Sequence, residues 1–116
     1  MKVYGLANCD TTKAAIKMLK VSRQDYFFHD FKISGVTPKQ AESWLKKIPA
    51  EKLLNKKSTT WRGLSNEEQQ TAITNEGIVV LLVKYNSLIK RPLIEWKDGS
   101  ITVGFDEASI KMKISS

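Results

Sequence analysis

Lys2-Val3-Tyr4-Gly5-Leu6-Ala7-Asn8-Cys9-Asp10-Thr11-Thr12-Lys13-Ala14-Ala15-Ile16-Lys17-Met18-Leu19-Lys20-Val21 is the stretch whose reading decides the fold. Lys2 to Leu6 carries Val3, Tyr4 and Leu6 and reads as a short strand. Asn8-Cys9-Asp10-Thr11 then gathers residue types that favour turns and helix caps. From Thr11 to Val21, Ala15, Ile16 and Leu19 fall on one face while Lys13, Lys17 and Lys20 fall largely elsewhere, the pattern of an amphipathic helix. Asp25 to Asp30, with Tyr26, Phe27 and Phe28, reads as a second strand. Strand, helix and strand in such close succession form a βαβ unit, in which the strands are parallel and the crossover right-handed.

Downstream, the character changes. Thr37-Pro38 opens a helix with proline at its first position, running to about Lys47 with Ala41, Trp44, Leu45 and Ile48 on one face, and Pro49 ends it. Ala50 to Leu54 suggests a helical turn, and Lys56 to Gly63 a polar loop. Ser65 and Glu68 stand in capping-box spacing before a polar helix over Asn66–Thr74. Glu76 to Tyr85 contains Ile-Val-Val-Leu-Leu-Val and reads as a buried helix ending near Asn86, although the apolar run would equally suit a buried strand. Alternation then returns. Leu93 to Trp96 and Ile101 to Val103 flank Asp98-Gly99 as a hairpin, and a last helix is expected over Glu107–Lys111. The whole order, β-α-β, helices, then β-β-α, is the plan of an α/β, thioredoxin-like fold with a mixed sheet and a helical insertion. One domain over 1–116 is expected, with its core in 1–33 and 88–116 and the insertion in 37–86.

Composition narrows the function. The single cysteine excludes an intramolecular disulfide, and one cysteine with one distant histidine makes a structural zinc site improbable. Met1 to Gly5 lacks the apolar run of a signal peptide, and Ile78 to Val83 is too short to span a bilayer, so a cytoplasmic protein without membrane contact is expected. The net charge of +7 suits an anionic partner, though the lysines are scattered and solubility alone accounts for them. No RNA-binding aromatic signature or helix-turn-helix spacing stands out, so direct nucleic-acid binding is not expected. A monomer is expected.

Cys9 is the residue with chemistry. It lies just past a strand and at the start of a helix, where free backbone amides and the helix dipole favour an anion. A thiolate is such an anion, and an exposed cysteine there has a lowered pKa and raised nucleophilicity. Asn8, Asp10, Thr11 and Thr12 are polar, which argues for exposure over an inert core thiol. Lys13, one turn on, adds positive potential, and Asp10 opposes it. Thr12 stands where a Cys-x-x-Cys enzyme carries its second cysteine. Its hydroxyl can hydrogen-bond a thiolate or merely cap the helix, but it cannot form a disulfide, so any redox cycle borrows a second thiol. Arg91-Pro92 precedes a strand, where a cis proline would lie beside the cysteine and present the Arg91 backbone to an extended substrate, its guanidinium pairing with an oxyanion. A trans proline with a solvated arginine is the plainer alternative. Arg62 is either a second anion clamp or a surface charge, and His29 reads as structural.

Four blocks carry a resemblance: Val3 to Ala14, Asn55-Lys56-Lys57-Ser58-Thr59-Thr60-Trp61-Arg62, Leu88-Ile89-Lys90-Arg91-Pro92, and Val103-Gly104-Phe105-Asp106-Glu107. Together they resemble the arsenate reductase (ArsC) family, its YffB-like branch above all, with the Spx regulators more distant. The resemblance implies a thioredoxin-like fold, a nucleophilic cysteine matching Cys9, and an arginine before a cis proline matching Arg91. It also implies thiol redox chemistry with no bound cofactor and with glutathione as co-substrate. Family reductases carry an arginine after a Leu-Leu pair and another near the last strand, and here Asn55 and Ile101 stand at those places. The leading expectation is therefore an oxidoreductase that reduces disulfides or other oxidised substrates through Cys9. Asn8, Thr12, Lys13, Arg62, Arg91 and Pro92 would surround the substrate. Arsenate reduction is the enzymatic alternative, and a Spx-like regulator that binds RNA polymerase is the alternative from another class.

Overall fold

The computed structural model describes all residues from Met1 to Ser116. In chain order the elements are β1 (Lys2–Gly5), α1 (Asp10–Val21), β2 (Phe27–Asp30), α2 (Phe31–Ser34), α3 (Pro38–Leu45), α4 (Ala50–Leu53), α5 (Thr59–Arg62), α6 (Asn66–Gln70), α7 (Asn75–Lys84), β3 (Leu93–Glu95), β4 (Ile101–Val103) and α8 (Glu107–Ser115). Two compact units result, one from residues 1–34 with 91–116 and one from residues 35–90.

The first unit is an α/β structure around a four-stranded mixed sheet in the order β2-β1-β3-β4. β1 pairs parallel with β2 through Val3 and Phe28, and antiparallel with β3 through Val3 and Ile94. β3 and β4 are antiparallel and joined by a turn in which Gly99 donates to the Trp96 carbonyl. The Trp96 indole N–H donates to Thr102 across the hairpin, which satisfies its one polar atom while the ring stays buried. Val3, Ala15, Leu19, Ile94, Trp96 and Ile110 form the core, so β1, α1, β3 and α8 close on one apolar cluster. Asp106 starts α8 by accepting from the amides of Ala108 and Ser109. That helix runs to Ser115, beyond the expected Lys111, and Lys113 ties it to Asp98 of the hairpin turn at 3.0 Å.

The second unit is helical. Thr37 and Gln40 exchange both hydrogen bonds of a capping box, and Pro38 takes the first position of α3. α3 packs its buried Ala41 and Trp44 toward α7. The apolar run at Ile78 is a helix: Ile78, Val79, Leu81 and Leu82 are buried while Val80 is 64% exposed, which alternation in a strand would not give. Two expectations need correction. The stretch Lys56–Gly63 is not wholly loop, because Ser58 accepts from the Trp61 amide and starts α5. The polar helix ends at Gln70 and continues as a 3₁₀ turn, and Glu68 does not close the capping box with Ser65 but accepts from Tyr85 and pairs with Lys84. Residues 53–55 and 88–90 pair with each other, Asn55 donating to Leu88 at 2.7 Å and Lys90 to Leu53 at 3.0 Å.

Gly5, the last residue of β1, is required by its neighbour. A Cβ there would stand 2.5 Å from Oγ1 and 2.9 Å from Cγ2 of Thr12, which is fully buried. Gly5→Ala should therefore destabilise the protein by about 1–3 kcal/mol through overpacking. Combining it with Thr12→Ala should restore part of the loss, a non-additivity that a double-mutant cycle of chemical denaturation would measure.

Candidate active site

β1 delivers the chain to a turn in which the Cys9 amide donates to the Leu6 carbonyl at 3.1 Å. Cys9 then takes the N-cap position of α1 with extended dihedrals, and its carbonyl receives the Lys13 amide at 2.9 Å. The sulfur occupies the place where a serine or aspartate oxygen would satisfy a free helical amide. It is partly exposed. The Thr11 hydroxyl lies 3.1 Å from Sγ and also 3.1 Å from the Arg91 carbonyl, to which it donates. The Arg91–Pro92 peptide is cis. Pro92 is buried, and its carbonyl accepts from Gly104, whose φ of +78° is readily adopted only by glycine.

Partial burial is the largest single effect and pushes the Cys9 thiol up, but several hydrogen bonds together outweigh it. Hydrogen bonding from Thr11, the backbone amide of Thr12, the Thr12 hydroxyl and the Arg91 side chain favour the thiolate and bring the pKa down to about 6. The Thr12 hydroxyl is fully buried and has no partner of ordinary hydrogen-bond geometry, so the Cys9 sulfur is the acceptor toward which it acts. Ionisation of the neighbouring sulfur gives that O–H an acceptor. Thr11 faces a choice, since one hydroxyl proton cannot serve two acceptors. With a thiol, Cys9 can donate to Thr11 while Thr11 donates to Arg91. With a thiolate, the strongest use of that proton is toward sulfur.

The structure thus brings Cys9, Thr12, Arg91 and Pro92 together in one unit. Asn8 is exposed in the turn and Lys13 is exposed on α1, and neither is among the groups that hold the sulfur. Arg62 is exposed and ends α5 in the helical unit, where Lys56 lies over the Trp61 ring at 5.4 Å. The Arg91 carbonyl, expected to face a substrate backbone, receives the Thr11 hydroxyl at 3.1 Å. The His29 ring packs at a tilt against Tyr4, centroids 4.8 Å apart, and the Tyr4 hydroxyl donates to Glu95. Sequence reasoning missed Thr11. Its only signal was a hydroxyl two residues past the cysteine, and its second partner lies 80 residues away.

Fold and site define a class: a thioredoxin-like α/β protein with one ionisable cysteine at the start of its first helix and a cis proline beside it. The chain belongs to the ArsC family, whose model matches residues 4–112. It is 36% identical over 108 residues to an uncharacterized protein of Haemophilus influenzae, covering 90% of each chain. The solved structure of a protein named YFFB matches with a TM-score of 0.91 at 28% identity, over 97% of each chain. That of an arsenate reductase (ArsC) related protein from Brucella melitensis matches with a TM-score of 0.73 at 34% identity, over 99% of this chain and 94% of the other.

Two tests follow from the sulfur's surroundings. Thr11→Val should raise the pH midpoint of Cys9 alkylation by iodoacetamide by on the order of one unit, while Thr11→Ser should leave it near that of the parent. Because folding lowers the Cys9 pKa, its ionisation adds stability that is fully present above the unfolded thiol's value and lost as pH falls through about 6. The stability difference between the parent and Cys9→Ala should thus grow from pH 6 to pH 9, as read by urea denaturation at each pH.

Proposed function

We propose that this protein is a thiol–disulfide reductase that uses Cys9 as its one nucleophile and glutathione as the resolving thiol. The observation that carries the reading is the partly exposed Sγ at the N-cap of α1, with Thr11, Thr12 and Arg91 converging on it. A pKa of about 6 leaves the sulfur mostly thiolate at neutral pH, and the thiolate is the attacking species. Cys9 attacks one sulfur of the substrate disulfide, forms a mixed disulfide and releases the other sulfur as thiolate. With no second cysteine in the chain, a glutathione thiolate attacks the Cys9 sulfur of the mixed disulfide and releases the substrate's remaining sulfur as thiolate, and a second glutathione thiolate then attacks the glutathione sulfur now bonded to Cys9 and releases the Cys9 thiolate. The two electrons come from two glutathione molecules, which end as one glutathione disulfide. The Arg91 guanidinium favours anionic sulfur in both steps, and Pro92 shapes the neighbouring backbone.

The name of the Brucella relative keeps arsenate in view as a substrate. Two side chains weigh against it. Asn55 accepts from the Lys57 amide at 3.1 Å and shapes a turn, and Ile101 is only 7% exposed in β4, so neither position offers a cation to an oxyanion.

Mass spectrometry after incubation with oxidised glutathione at neutral pH tests the proposal. One glutathionyl adduct should form on Cys9, disappear when reduced glutathione is added, and be absent from Cys9→Ser. A parent protein that stays unmodified would remove the reading. Arsenate turnover with glutathione that exceeds disulfide reduction would replace it with the arsenate alternative.

A further inference from the structure

A shallow groove along α1 is not used by the thiol chemistry. Ile16, Tyr26 and Phe28, all half-buried, form its floor, and Lys13, Lys17 and Lys20 stand along it. Spacing of four and then three residues keeps the lysines on one helix face over a rise of about 10 Å. Ala7, two residues before Cys9, lines the groove as well, so it begins beside the loop that carries the sulfur. No carboxylate lines it, and none of the three lysines is in an ion pair, unlike Lys84, Lys111 and Lys113. The apolar grooves of the helical unit differ, since Glu42 and Glu76 line both and offset the lysines there. An apolar floor under three uncompensated cations is complementary to an apolar side chain flanked by carboxylates.

We propose that this groove docks a polypeptide segment carrying acidic side chains on both sides of an apolar anchor, and that the protein so held is a disulfide substrate of Cys9. The inference rests on the reading of Cys9 as a thiol–disulfide nucleophile. The half-buried Ile16, Tyr26 and Phe28 admit an inserted side chain, and Val21, which also lines the groove, is 76% exposed and adds apolar surface beside them. Docking holds the substrate disulfide beside the sulfur. Cys9 then forms the mixed disulfide, releases the substrate's other sulfur as thiolate, and is regenerated by two glutathione molecules as above.

Three synthetic peptides, each joined through a cysteine to thionitrobenzoate, provide the test. One flanks a leucine with glutamates, one flanks it with lysines, and one keeps the glutamates but replaces leucine with serine. Release of thionitrobenzoate reports attack by Cys9. The Glu-Leu peptide should react about 10-fold faster than the Lys-Leu peptide at low ionic strength, with the ratio collapsing in high salt. It should also outpace the serine peptide. In Lys17→Glu/Lys20→Glu the charge preference should invert, while the rate with neutral hydroxyethyl disulfide stays that of the parent. Equal rates for the two charge types in the parent, or a preference unchanged in the variant, would overturn the docking site and leave the thiol chemistry standing. Equal peptide rates together with variant-sensitive binding to phosphatidylserine vesicles would overturn it in favour of a lipid surface. No reaction with hydroxyethyl disulfide would overturn the Cys9 reading and the docking site with it.

Discussion

The close approach of Gly5 to Thr12 is the contact on which the site depends. Where β1 ends, the absence of a Cβ lets the first turn of α1 press its threonine against the strand. That contact fixes where the helix begins, and so places Cys9 at the N-cap rather than inside the helix or out in the loop. The same threonine leans on the sulfur through its amide and hydroxyl. Packing and electrostatics therefore meet in one side chain: its buried face sets the geometry, and its polar atoms favour the thiolate. Thr11 and Arg91 complete the arrangement from the other side, joining the start of α1 to the segment that leads into β3.

Much of this was legible in the chain because the signals were local. Asn8-Cys9-Asp10-Thr11 has the composition of a helix start, and α1 begins there, one residue before the expected Thr11. Thr37-Pro38 made the start of α3 readable, and Asp98-Gly99 did the same for the hairpin. Length and periodicity left Ile78–Val83 ambiguous, since six apolar residues fit either element. The decision came from Thr74, which accepts from the Gly77 amide and starts a helix. Lys56–Gly63 was misread because α5 has four residues, fewer than hydrophobic periodicity needs to show itself.

The part of the site that escaped was tertiary. Nothing near Thr11 in sequence says that its hydroxyl will find the Arg91 carbonyl, or that Glu68 will turn from its capping serine to Tyr85 and Lys84. A polar side chain with two possible partners is settled by whichever the fold brings within reach. The lysines of α1 show the opposite case. Read alone, they were the solvated face of an amphipathic helix. Set beside Tyr26 and Phe28, they border an apolar groove that no acid neutralises.

All of the chemistry requires Cys9 to be an anion at neutral pH. Because the chain holds one cysteine, ¹³Cβ-labelled cysteine gives a single reporter resonance whose shift follows ionisation of the sulfur it is bonded to. A pH titration of that resonance in the folded protein should inflect near pH 6. An inflection at or above the ordinary cysteine value, about 8.5, would mean that the start of α1 does not hold a thiolate, and would contradict the account.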